Sequence, residues 1–165
     1  VGVTPARITE SFAVREVPRK MRGGRQVVKL MEPLEYHIGT ENSAEVIVVP
    51  SGFETDFASI PFGMRNLFPP LGLHARAAIV HDFLYMTKGD LPHALDYVQD
   101  MMKPDEMTAY LNLTANRPNV NARTYSRRES DDIFREAMQV VGVNALQRNI
   151  MHRAVRLGGG GGWGS

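Results

Sequence analysis

The sequence predicts an α+β fold in which a small N-terminal antiparallel β-sheet packs on a C-terminal helical half. Three observations carry this. The early chain mixes β-branched and aromatic residues with turn formers. From Leu73 onward the apolar residues recur at helical spacing. The length of 165 residues is enough for one core without disulfide or metal support. The expected organisation is a single domain over 1–157, followed by a glycine-rich tail over 158–165. Within it, 1–62 are mainly strands and loops, 73–157 mainly helices, and 86–124 an inserted segment.

ITESFAVREV and RQVVKLMEPLEYHI read as strands, with Gly23 and Gly24 as a hairpin-like break between them. AEVIVVP is a compact strand ended by Pro50, and SGFETDFASIPFGM, Ser51 to Met64, is an ordered loop rich in turn formers. Ala77, Val80, His81 and Leu84 follow i, i+3, i+4, i+7, one face of a helix. DLPHALDYVQDMM is expected to start a helix with Asp90 as N-cap and Pro92 in its first turn. KPDEMTAYLNL is expected to form another, and NRPNVNART a loop. Tyr125 to Val141, closed by Gly142, and Asn144 to Leu157 are expected as two further helices. Leu146, Ile150, Ala154 and Leu157 are the expected inward stripe of the last.

Lys and Arg total 19 against 18 Asp and Glu, a net charge of +1, so no global field draws in nucleic acid. With no cysteine, a disulfide framework and thiolate metal sites are excluded. The longest apolar run, AAIV, is far below the roughly 20 residues a bilayer span needs, and the chain starts without a charged-then-apolar leader. No transmembrane segment is expected.

The chemistry concentrates in RAAIVHDFLYM, Arg76 to Met86. Burying a histidine or an aspartate without a partner costs about 2 kcal/mol or more. At about 100° per residue, His81 and Tyr85 lie together at the edge of the apolar stripe, and Asp82 points farther round. In SRRESDDIFREAM, Phe134, Ala137, Met138 and Val141 define an inward face. Asp131 lies about a quarter turn from its centre and Asp132 almost opposite. Asp131 is therefore the expected partner of His81, with Tyr85 donating to the same carboxylate. A carboxylate fixing the tautomer of an imidazole lets the ring take a proton from water. Asp82 is then free to hold a cation. The alternative is a buried His81, Asp131, Tyr85 network that only ties two helices together.

PSGFETDFASIP, AAIVHDFLY, RRESDDIF and a following AVRLGG with a tryptophan resemble the uncharacterised phage and prophage family known as domain of unknown function 1353. The resemblance covers roughly Leu30 to Trp163. It implies a phage or prophage protein, in a virion or tail, or in the host cytoplasm before assembly. The segment between Tyr85 and Arg127 is longer than expected for that family, and as an insertion it is expected to carry a partner surface.

A second, local similarity is to phospholipase A2, whose His-Asp-x-x-Tyr helix is matched by His81, Asp82 and Tyr85 and whose later aspartate is matched by Asp131. That resemblance implies a water-activating histidine and calcium-assisted ester hydrolysis on a lipid. The glycine-rich calcium loop and the paired cysteines are missing, so Asp56 of the TDFAS loop is named beside Asp82 as a replacement ligand. A turn or capping role for Asp56 and Ser59 is the competing reading. A His-Asp metal phosphohydrolase, with His74 or His37 upstream, ranks lower, because His74 lies two turns, about 10 Å, from His81 on one helix.

Arg148, His152, Arg153 and Arg156, and the cluster Arg15, Arg19, Lys20, Arg22 and Arg25, read as solvated faces. The tail GGGGGWGS has linker composition, and Trp163 is expected to insert into a neighbouring pocket, from another particle protein or a second copy. The functional expectation is a particle component with a hydrolytic His-Asp site. The alternative is a purely structural or interaction protein.

Overall fold

The computed structural model describes residues 7–60, 64–66 and 72–164. The part of the expected loop at 61–63 lies outside the described residues.

Strand β1 (Val14–Arg22) and strand β2 (Arg25–Leu30) form an antiparallel hairpin. Gly23 and Gly24 both have positive φ, the backbone of a two-residue turn whose twist matches the strands it joins. Arg22 pairs directly with Arg25 across this turn. Strand β3 (Leu34–His37) pairs with strand β4 (Val46–Val49) in a separate two-stranded sheet. Strand β5 (Glu54–Thr55) joins the other edge of β2, completing a three-stranded sheet of order β1-β2-β5. That last pairing anchors the loop carrying Asp56 and Ser59.

Helix α1 (Ala75–Met86) follows. The expected stripe of Ala77, Val80, His81 and Leu84 is buried, but so are Ala75, Ala78, Ile79 and Phe83. A helix that is apolar nearly all round belongs at the centre of a fold. The segment after it holds α2 (Ala94–Val98) and α3 (Pro104–Asn116), with a 3-10 turn at Leu91–His93 in place of the expected α-helical start. This segment is built into the core: Val98 and Leu91 are buried, and residues 119–121 lie along the edge of β4, with Asn121 bonding both the Val48 amide and its carbonyl.

Helix α4 (Arg127–Val140) starts with a reciprocal cap. The Glu129 amide donates to Ser126 Oγ, and the Ser126 amide donates to the Glu129 carboxylate, satisfying two of the donors every helix start leaves open. Its buried face contains Asp131, Phe134, Ala137 and Met138, while Asp132 is exposed and bonds His152. Helix α5 (Ala145–Gly158) is capped by Asn144. Here the structure corrects the sequence reading: Leu146, Ile150 and Leu157 are exposed, at 71%, 41% and 89%, and the inward residues are Met151 and Val155. The expected stripe lies about a third of a turn away from the true one, because Arg156 and His152 border the buried side.

The tail also departs from its linker reading. It forms a short helix, α6 (Gly160–Gly164), packed on α1, and Trp163 meets Tyr85 edge to face at 5.2 Å between ring centroids. The surface receiving this tryptophan belongs to the same chain. Each glycine in a helix costs about 1 kcal/mol relative to alanine, and the contact between Trp163 and Tyr85 contributes about 0.5–1.5 kcal/mol in the other direction. Among the described residues, no helix is long and apolar enough to cross a membrane.

Candidate functional site

His81 comes from the middle of α1 and is 1% exposed. Its ring stacks on Phe134 at 4.5 Å, which fixes its plane. Nε2 lies 2.8 Å from Asp131 Oδ1, and Nδ1 lies 2.5 Å from Ser59 Oγ. With an ionised Asp131 accepting the Nε2 proton, Nδ1 presents its lone pair toward Ser59 Oγ, whose single proton is shared between Nδ1 and Asp82 Oδ1. Asp131, Tyr85 and His81 are thus brought together as the helix faces required.

Asp131 is fully buried and saturated. Its Oδ1 accepts from His81 and, at 2.6 Å, from Tyr85; its Oδ2 accepts from Arg156 at 2.8 Å. Burial alone would raise its pKa, but hydrogen bonds from His81, Tyr85 and Arg156 outweigh that and hold it below the ordinary carboxylate range. Burial and the bond to Asp131 push the Tyr85 hydroxyl up to about 12, so it stays a donor. Arg127 reaches the Tyr85 oxygen and also the carbonyls of Val155 and Arg156, tying α4 to the end of α5.

Asp82 points the other way, as its helix angle requires, but its carboxylate is engaged. Thr55 Oγ1 donates to Oδ2 at 2.5 Å, and Oδ1 accepts from the Ser59 amide at 3.1 Å and from the Ser59 hydroxyl. Burial pushes the Asp82 carboxyl above its ordinary value, against the lowering effect of Ser59 and Thr55. Asp56 is buried on the same loop. Calcium takes about six to eight oxygen ligands. The oxygens around Asp82 are instead hydroxyls donating into it, and among the described residues no three or more His, Cys, Asp or Glu side chains are grouped to hold a metal. The Asp82 and Asp56 set does not fit calcium. His37 bonds Glu35 and the Glu41 carbonyl, apart from this cluster.

Ser59, His81, Asp82 and Tyr85 line a cavity of about 890 Å³ between the β1–β2 turn, α1 and the end of α5. Such a volume lies in the range of roughly 300–1,000 Å³ typical of ligand sites. Asp131 stands behind His81, away from the cavity wall.

Reading the sequence by helical period finds His81, Tyr85 and Asp131 and misses Ser59, Thr55 and Arg156. The last three come from a loop, a two-residue strand and a helix face taken as solvated. A signal for them existed in the motifs: PSGFETDFASIP contains Thr55 and Ser59, and AVRLGG contains Arg156. All the motifs therefore converge on one cluster.

A family model described as "Protein of unknown function (DUF1353)" matches residues 28–155. No curated protein and no solved structure matches the chain.

Proposed function

We propose that this chain, which belongs to the DUF1353 family of proteins of unknown function, is a hydrolase of acyl esters in which Ser59 is the nucleophile, His81 the general base and Asp131 the group that orients and supports the imidazole. One observation carries this reading. The Ser59 hydroxyl occupies the hydrogen-bonding position at His81 Nδ1, on a cavity wall, while Asp131 holds the opposite nitrogen. The water-activating histidine expected from the likeness to phospholipase A2 thus becomes a serine-activating one, since the serine oxygen fills the place a water would take.

In the reaction, His81 Nδ1 takes the Ser59 proton as Oγ attacks the ester carbonyl. Asp131, kept ionised by Tyr85 and Arg156, stabilises the resulting imidazolium. The ring then gives its proton to the departing alcohol, leaving an acyl group on Ser59. A water, deprotonated by His81, releases the acid and restores the hydroxyl. Asp82 Oδ1 competes with His81 Nδ1 for the single Ser59 hydroxyl proton.

A fluorophosphonate probe tests this directly. The wild-type chain is expected to be labelled on Ser59; Ser59→Ala and His81→Ala are expected to lose labelling while keeping their far-ultraviolet circular dichroism. A folded Ser59→Ala variant that labels as well as wild type would refute the assignment.

The second reading, a helix-tying network in a structural protein, is favoured by the sealing of His81 and Asp131, at 1% and 0% exposed. Under it, His81→Ala loses stability by about 1–3 kcal/mol through the orphaned carboxylate and the wild type carries no label. The proposed setting for either reading is the one the resemblance implies, a component of a phage or prophage virion or tail. Its contacts there would be with other particle proteins or a second copy.

A further inference from the structure

Glu54, Asp56 and Asp82 line the cavity beside Ser59. Two of these acids are supplied with donors from within the chain: Lys20 bonds Glu54, and Asp82 accepts from Thr55 and Ser59. Asp56 is not. It is only 5% exposed, yet among the described residues no side chain or backbone amide donates to its carboxylate. Folded proteins leave few buried acceptors in that condition, because each costs free energy until a donor reaches it.

The charge of Asp56 is a separate matter. The Arg65 guanidinium donates to the Asp56 backbone carbonyl at 2.9 Å and interacts electrostatically with its side chain. A counter-charge is therefore at hand while the oxygens accept nothing. A neutral donor such as a hydroxyl completes this group, and a second cation does not.

Asp56 is also well placed for the ester. It lies three residues before Ser59 on the loop that follows β5. Its charge reaches the partner of the Ser59 hydroxyl: the Asp82 carboxyl is raised by burial first, and by Asp56 in addition. Phe57, between the two, holds a φ of 54° with its amide on Thr55 Oγ1. That left-handed backbone, uncommon for a bulky residue, sets the course of the loop at Asp56.

We infer that Asp56 is a hydroxyl-binding residue of this cavity, and that the substrate is the acyl ester of a neutral polyol. One oxygen of the alcohol part carries the acyl group at Ser59, and a second donates to Asp56. The ester half of this statement rests on the hydrolase reading; the hydroxyl half is measured by binding alone. A hydroxyl donating to a carboxylate oxygen makes one of the stronger hydrogen bonds, so its loss is expected to be felt in affinity.

The experiment is calorimetric titration of the full chain, carrying Ser59→Ala so that no ester is cut, with monobutyrin, propyl butyrate and butyrylcholine. These share an acyl group and differ in the alcohol part: a polyol, a plain alcohol and a cation. The ratio of monobutyrin to propyl butyrate affinity is expected to fall about tenfold when Asp56→Ala is added. With Asp56→Asn it is expected to fall less, since the amide oxygen still accepts. Propyl butyrate affinity is expected to stay unchanged. Asp56→Asn is expected to melt within about 5 °C of its parent, because no hydrogen bond is lost.

A ratio unchanged by Asp56→Ala, no binding of monobutyrin, or butyrylcholine as the ester most weakened by the substitution overturns the inference. So does a larger fall in the melting temperature of Asp56→Asn, which identifies a structural carboxylate. Fluorophosphonate labelling of Ser59 in the wild type is read separately. Labelling with an unchanged ratio leaves the hydrolase standing and removes the polyol; a ratio that falls without labelling keeps Asp56 as a hydroxyl site and removes the hydrolase.

Discussion

Asp131 and Asp82 flank the same imidazole, and protons act on them in opposite senses. Asp131 is held below its unfolded value, so its contribution to stability is present above the unfolded carboxylate range and fades as pH falls through the folded value. Asp82 is held above its unfolded value, so what it contributes is present below the unfolded range and is lost as pH rises through the folded value. Asp131→Asn is expected to cost about 3 kcal/mol near pH 7, because His81 and Arg156 then lose a buried charged partner, and less near pH 4. Asp82→Asn is expected to move the other way, gaining stability relative to wild type between about pH 4 and pH 7. Denaturant titrations of both variants at the two pH values check this. Parallel shifts of the two would contradict the assigned directions.

At the scale of the element, α5 is the instructive case. An apolar stripe at i, i+4, i+8 and i+11 was legible in its sequence, yet that stripe faces out. Helical period tells which residues share a face and leaves open which face is inward. The choice is made by tertiary partners: Arg156 is drawn to Asp131 and His152 to Asp132, and these turn Met151 and Val155 to the core. Leu146→Gln is accordingly expected to change stability by less than about 0.5 kcal/mol, and Met151→Ala to cost about 2–5 kcal/mol. Chemical denaturation of the pair distinguishes them, and the reverse ranking would restore the sequence reading. For α4 the pattern sufficed, because its charged residues separate cleanly from Phe134 and Met138 and its start is marked by Ser126 and Glu129.

Across the whole molecule, the division into an early β part and a later helical part was legible, since period-2 and period-3.6 patterns scarcely overlap along this chain. The joining of β5 to β2 was not, because a two-residue strand leaves no period to read. Ser59 lies on the loop that follows β5 and meets His81 there, a contact no period marks, whereas His81 and Asp131 are marked by helical spacing. Residues 86–124 supply Val98 and Leu91 to the core and edge β4 through Asn121. Asn121 is buried and also bonds Tyr110. Asn121→Ala is therefore expected to cost about 2–3 kcal/mol, from the strand amide and carbonyl left without partners. Thermal unfolding measures it, and a neutral result would mean the segment is dispensable to the fold.

Trp163 is the chain's single tryptophan, and it rests on the ring of Tyr85, whose hydroxyl bonds Asp131. The protein thus carries one indole, excitable apart from its tyrosines and seated a single aromatic layer from its polar cluster. Its emission colour and quenching offer an unlabelled optical gauge of whether the tail stays docked on α1.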